Sequence, residues 1–118
     1  MRTSIGFALA VLSALAIAQK PNPDQLKLQR AEKAYSVTKL AWGKDKANKT
    51  KRKAYINATV SLGTIVMNSP ILAPRAKYPR ALSLYREALK LDPANKEAKA
   101  NKAMIEDIYR SMGRPIPK

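Results

Sequence analysis

Apolar residues recur every three or four positions in four separate stretches of the chain, the spacing of one buried face on a helix. In the first stretch, Leu28, Ala31, Ala34, Tyr35, Ala41 and Trp42 share a face, with Thr38 as a half-apolar member. Asn22 supplies an N-cap, Pro23 takes the first helical position, and Gln25 follows the cap at capping-box distance. Gly43 ends this helix. The second helix is predicted from near Lys46 to about Met67. Tyr55, Ala58, Thr59, Leu62, Ile65 and Val66 form its stripe, and Ile56, Val60 and Met67 widen it enough to pack on two sides.

Pro70, Pro74 and Pro79 then punctuate residues 68–79. Proline lacks the amide proton a helix interior needs, so this segment reads as a loop that no helix crosses. A third helix is predicted from Pro79 or Arg80 to Leu91. Asp92 is expected to cap a fourth, with Pro93 at its first position. Gly113 and Pro115 stop that helix near Met112. The pattern predicts an all-α fold of four antiparallel helices over residues 24–118, entered by a short polar linker at 19–23.

Residues 1–18 read differently. Arg2 precedes an apolar run at 5–17, which closes on the small-x-small sequence Ala16-Ile17-Ala18. This is the layout of a secretory signal peptide cut after Ala18, and the run is short of the about 20 residues that span a bilayer. The expectation is a secreted, periplasmic or cell-envelope protein with no membrane span once the signal is removed. No cysteine follows to staple the exported chain.

Charge adds a second possibility. The net charge of +15 on 118 residues favours anionic surroundings. The densest run lies at 44–53 and includes Lys46, Lys49, Lys51, Arg52 and Lys53. On a helix, Lys46, Lys49 and Lys53 would share one side, with Arg52 nearby, as a patch for an anionic polymer or simply as a solvated face. No aromatic is interleaved in the run, so base stacking, and with it specific nucleic-acid binding, is not suggested.

Catalytic chemistry has little to work with. The chain has neither histidine nor cysteine, which removes imidazole and thiolate nucleophile pairs and metal sites. Ser36-Val37-Thr38-Lys39 has the Ser-x-x-Lys spacing, but the motifs it works with, Ser-Asp-Asn and Lys-Thr-Gly, do not occur. Glu106 and Asp107 are adjacent, and neighbours on a helix point about 100° apart, too far to share a metal readily. The chain therefore reads as a non-enzyme without a cofactor. Tyr35, Trp42, Tyr55 and Tyr85 sit at helical spacing as core. Tyr78, beside Lys77 and Arg80 in the predicted proline loop, is either an exposed aromatic contact or a staple onto the third helix.

Residues 81–95 read ALSLYREALKLDPAN. Ala81, Tyr85, Ala88 and Pro93, with Leu84, Leu89 and Leu91 on the same stripe, resemble the second helix of a tetratricopeptide repeat and its Leu-Asp-Pro exit. Leu62-Gly63 resembles the Leu-Gly pair of the repeat's first helix, where the glycine allows close helix approach. The resemblance covers residues 53–113. It departs from the family in the longer turn between Gly63 and Ala81, in Thr59 where a large aromatic is usual, and in Lys102-Ala103 where Leu-Gly would recur. Glu97, Ala98 and Asn101 fit the start of another repeat, and Ala31 with Tyr35 echoes Ala81 with Tyr85. The resemblance thus implies a short tetratricopeptide-like α-solenoid, one full repeat between two halves.

In that family the first helices line a concave groove that receives a peptide or a partner helix. By resemblance the groove falls on Asn57, Val60, Thr64 and Met67 of the second helix and on Glu97, Ala100, Asn101 and Met104 of the fourth. The two methionines would be an adaptable apolar floor or part of the core. The resulting expectation is an exported protein–protein interaction module, its partner a second protein or a second copy. The rival is a basic protein that binds polyanions, an envelope polymer or nucleic acid, through its charge.

Overall fold

A computed structural model describes Lys20 and residues 22–118; the predicted signal peptide and the rest of the linker lie outside the described residues. The fold is all-α: α1 (Pro23–Gly43), α2 (Lys49–Met67), α3 (Pro74–Leu91) and α4 (Lys96–Ser111).

Asparagine side chains start three of the four helices. Asn22 accepts the amide of Asp24 at 2.7 Å, Asn48 that of Lys51 at 2.9 Å and Asn95 that of Ala98 at 2.9 Å. Two of these caps correct the predicted boundaries. Lys46 lies outside α2, because the backbone turns through Asp45 to Asn48 before the helix begins. Asp92 does not cap α4; it closes α3, and Pro93 sits in the turn that leads to Asn95. At the far end Gly113 takes φ 66°, and the amides of Gly113 and Arg114 return to the carbonyls of Arg110 and Tyr109, so glycine is required there to close the helix.

The largest correction concerns α3. The chain is helical from Pro74, with Pro79 inside the helix. Pro74 occupies the first helical position, where no amide is needed, and the carbonyl of Ala73 accepts the amides of Ala76 and Lys77, each at 2.9 Å. Pro79 therefore forfeits a single bond, to the carbonyl of exposed Arg75 near the helix start. Lys77 donates to the carbonyl of Ser69 at 2.9 Å and the Tyr78 ring packs on the core, which pins this first part of α3. Tyr78 is thus a half-buried helical residue and not an exposed loop contact.

The core joins Ile56, Val60, Leu62, Val66 and Met67 of α2, Ala81, Leu82, Leu84, Tyr85 and Ala88 of α3, and Ala98 and Ile105 of α4. Helix α2 is central, packing on α1, α3 and α4. Consecutive helices are antiparallel. The start of α2 meets the end of α1 where Trp42 stacks on Tyr55, and the end of α3 where Arg52 donates to the carbonyl of Leu91. Alternate helices α1 and α3 run side by side in the same direction. Arg80 pairs with Glu32, and further along both helices Glu87 meets Tyr35 and Lys39. Thr64 links α2 to α4 through Glu97 and Asn101.

Candidate functional site

One stretch of α2 stands apart chemically. The helix opens with Lys49, Lys51, Arg52 and Lys53, yet residues 54–68 carry no charge, in a chain where 26% of residues are charged. On the side facing away from the core, this stretch presents Asn57, Ser61, Thr64, Ile65 and Asn68. Lys27 of α1 and Lys96 and Glu97 of α4 rise beside it, enclosing with Asn57, Val60 and Ser61 a depression of about 600 Å³. A second depression of about 540 Å³ runs from Ser61 and Ile65 across to Leu26, Arg30 and Ala31. Lys27, Ser61 and Ile65 belong to both, so the two form one groove with an uncharged floor and mainly cationic walls.

The residues expected to line a groove divide into four groups. Asn57, Val60, Thr64 and Glu97 border this one, although Val60 is largely spent in the core. Met67 is buried in the core. Ala100 and Met104 lie on the outer face of α4, in a separate depression with Ile108. Asn101 is half-buried and bonded to Tyr85. Ser61 and Ile65 were missed because the family pattern places the groove one residue around α2 from the side that the packing leaves open.

A chain of hydrogen bonds holds the groove to the core. Asn101 Nδ2 donates to the Tyr85 hydroxyl at 3.0 Å, and the Thr64 hydroxyl donates to Glu97 Oε2 at 2.5 Å. The Thr64 proton is thereby committed, so the Tyr85 hydroxyl is the donor in its 2.8 Å contact with Thr64. Burial holds the Tyr85 phenol above its ordinary value of 10.0, although the bond donated by Asn101 acts to lower it.

A second network joins α1, α2 and α3. Tyr35 donates to both Glu87 oxygens, at 2.8 and 2.9 Å, and the buried Tyr55 hydroxyl donates to the same carboxylate. Lys39 lies 3.5 Å from Glu87 and donates to Tyr35 at 3.1 Å. Burial first, and then the Glu87 carboxylate, raise the Tyr55 phenol; burial also leads the rise at Tyr35. Glu87 drew no notice in the sequence, although it is the only acid of α3 among Arg75, Lys77, Arg80, Arg86 and Lys90. The Trp42 indole Nε1 is buried with no acceptor, its ring held between Tyr55 and the Lys46 ammonium.

The basic run resolves into separate roles. Lys46 is off the helix and over Trp42, Lys51 pairs with Asp45 at 3.3 Å, and Arg52 binds the last carbonyl of α3. The single lysine face expected from Lys46, Lys49 and Lys53 does not form, since α2 starts only at Lys49. Lys49 and Lys53 remain exposed. Lys39 turns to Tyr35 and Glu87, not to Ser36. Glu106 turns to Lys102 and Arg86 while Asp107 pairs with Arg110, so the adjacent acids point apart. Among the described residues no three acids gather as a metal site. No protein-family model, curated protein or solved structure matches the chain.

Proposed function

We propose that this chain is an exported, non-catalytic docking module whose groove along α2 holds a peptide segment or helix of a partner protein, in the manner of a short tetratricopeptide-like solenoid. The observation that carries the reading is the charge-free floor of residues 54–68, left open between α1 and α4. In a chain this basic, an exposed strip without charge is suited to contact another polypeptide, whose backbone amides and carbonyls can pair with Asn57, Ser61 and Asn68. The layering of α1 with α3 and of α2 with α4 supports the same reading, as does the close approach at Gly63. The absence of histidine and cysteine from the sequence favours binding over catalysis.

A photo-crosslinking residue at Ser61, and another at Ser83 on the exposed side of α3, tests this in extract of the native envelope fraction. The Ser61 probe should capture a discrete protein that the Ser83 probe does not, and capture should persist in about 0.5 M salt, where exposed charges are largely screened. Equal capture at both positions, or binding only to polyanions that fades as salt rises, would replace the groove with the polyanion reading. Export is tested by intact mass from the native host, which should begin at Gln19.

A further inference from the structure

Helix α1 is the only described helix with no buried residue, yet its orientation is held at three places. Glu32 pairs with Arg80, Tyr35 donates to Glu87, and Trp42 stacks on Tyr55. Both acids of α1 serve the covered side: Glu32 through that pair, and Asp24 beside Thr64 and Ile65 of α2. At 100° per residue, Lys33, Val37, Leu40 and Lys44 project from the side away from both the core and the groove. That outer face has no acid on it, and neither of its two cations, Lys33 and Lys44, has an acidic partner among the described residues. Val37 is 55% exposed and Leu40 63%, the most exposed large aliphatic side chains of the described residues.

Cations interleaved with aliphatic tips, on a helix pinned from behind, match the layers of an anionic bilayer. Phosphate headgroups take the ammonium groups, and the aliphatic tips reach the acyl boundary. A second copy of the chain would bring the same +15 charge to the contact and be repelled. From these observations we infer that the outer face of α1 is a docking surface for anionic phospholipid membranes, separate from the groove along α2.

The chain contains no cysteine, so a Val37→Cys variant of the full chain takes a single environment-sensitive fluorophore at this face. With vesicles containing phosphatidylglycerol, its emission should shift to the blue as the chain co-sediments. The same label at Ala103→Cys, on the outer face of α4, should keep its aqueous emission. Vesicles of phosphatidylcholine alone should leave both labels unchanged. A Val37→Asp/Leu40→Asp variant should lose about tenfold in affinity for the anionic vesicles, and Lys33→Ala about fivefold. These side chains are exposed, and an unchanged circular dichroism spectrum would verify the fold. The inference is overturned if position 37 stays aqueous while the chain sediments, if both labels shift alike, or if the double variant binds undiminished. A shift produced only by an acidic helical peptide, and never by vesicles, would also overturn it, in favour of a protein partner.

Discussion

The ring of Tyr85 occupies the space that a side chain at Gly63 would need: a Cβ there would meet Tyr85 Cε1 at 2.9 Å and Cδ1 and Cζ at 3.2 Å. The ring cannot easily retreat, because Tyr85 is fully buried and its hydroxyl is tied to Thr64 and Asn101. Gly63→Ala should therefore destabilise the fold by roughly 1–2 kcal/mol, after a gain of up to about 1 kcal/mol in helix propensity. Urea titration measures it. An equal or raised midpoint would mean that α2 and α3 do not meet this closely.

Removing the other side of that contact should cost more. Tyr85→Ala opens a cavity between α2, α3 and α4 and should cost about 3–5 kcal/mol. Ala88, fully packed in the same core, should resist enlargement, so Ala88→Phe should cost about 1–3 kcal/mol. Thermal melts of both variants decide whether α3 is the element on which the fold depends.

Glu87 separates two kinds of loss. Glu87→Ala leaves the buried Tyr55 hydroxyl without its acceptor and should cost about 1–3 kcal/mol. Glu87→Gln keeps an acceptor and should cost less, while releasing Lys39 from its ion pair. Equal denaturation midpoints for the two variants would show that the tyrosines find other partners.

Alkali should unfold the protein earlier than its charge alone suggests. Tyr35, Tyr55 and Tyr85 all have phenols raised above the ordinary value of 10.0. A group whose folded value is raised contributes stability that is complete below its unfolded value and falls as pH rises toward the folded one. With no histidine in the chain, stability should be nearly level from about pH 6 to 9 and decline above about pH 10. Urea midpoints across that range test this. Tyr85→Phe should flatten the decline; an unchanged slope would remove Tyr85 from the account.

Arg52 and Lys53 are neighbours in the sequence with different expected effects. Arg52→Ala removes a cation bound to the final carbonyl of α3 and should cost about 0.5–1 kcal/mol. Lys53→Ala should be neutral, or slightly stabilising, because it thins the positive charge in the first turns of α2. Differential scanning calorimetry of the pair distinguishes a structural cap from an undivided basic patch.

Short-range physics made the helices legible in the sequence. The recurrence of apolar residues, the Asn22 cap and the Gly113 stop act within a few residues of where they are read, so four helices and the burial of Leu62, Tyr85 and Ala88 follow from local pattern. Helix starts were harder, since Asp92 and Asn95 both offer caps, and Asp92 is taken up in closing α3 while Asn95 starts α4. Pro79 reads as a barrier locally, but the contacts of Tyr78 and Lys77 outweigh one lost hydrogen bond. Lys102–Glu106 and Asp107–Arg110 pair within one turn of α4, but the charges that pair between helices were placed by tertiary structure alone. Glu87 finds Tyr35 across 52 positions and Tyr55 across 32, and Arg52 finds Leu91 across 39. The open groove and the bare outer face of α1 have the same origin: an element shows its own periodicity, but which of its sides another element covers depends on how the helices cross.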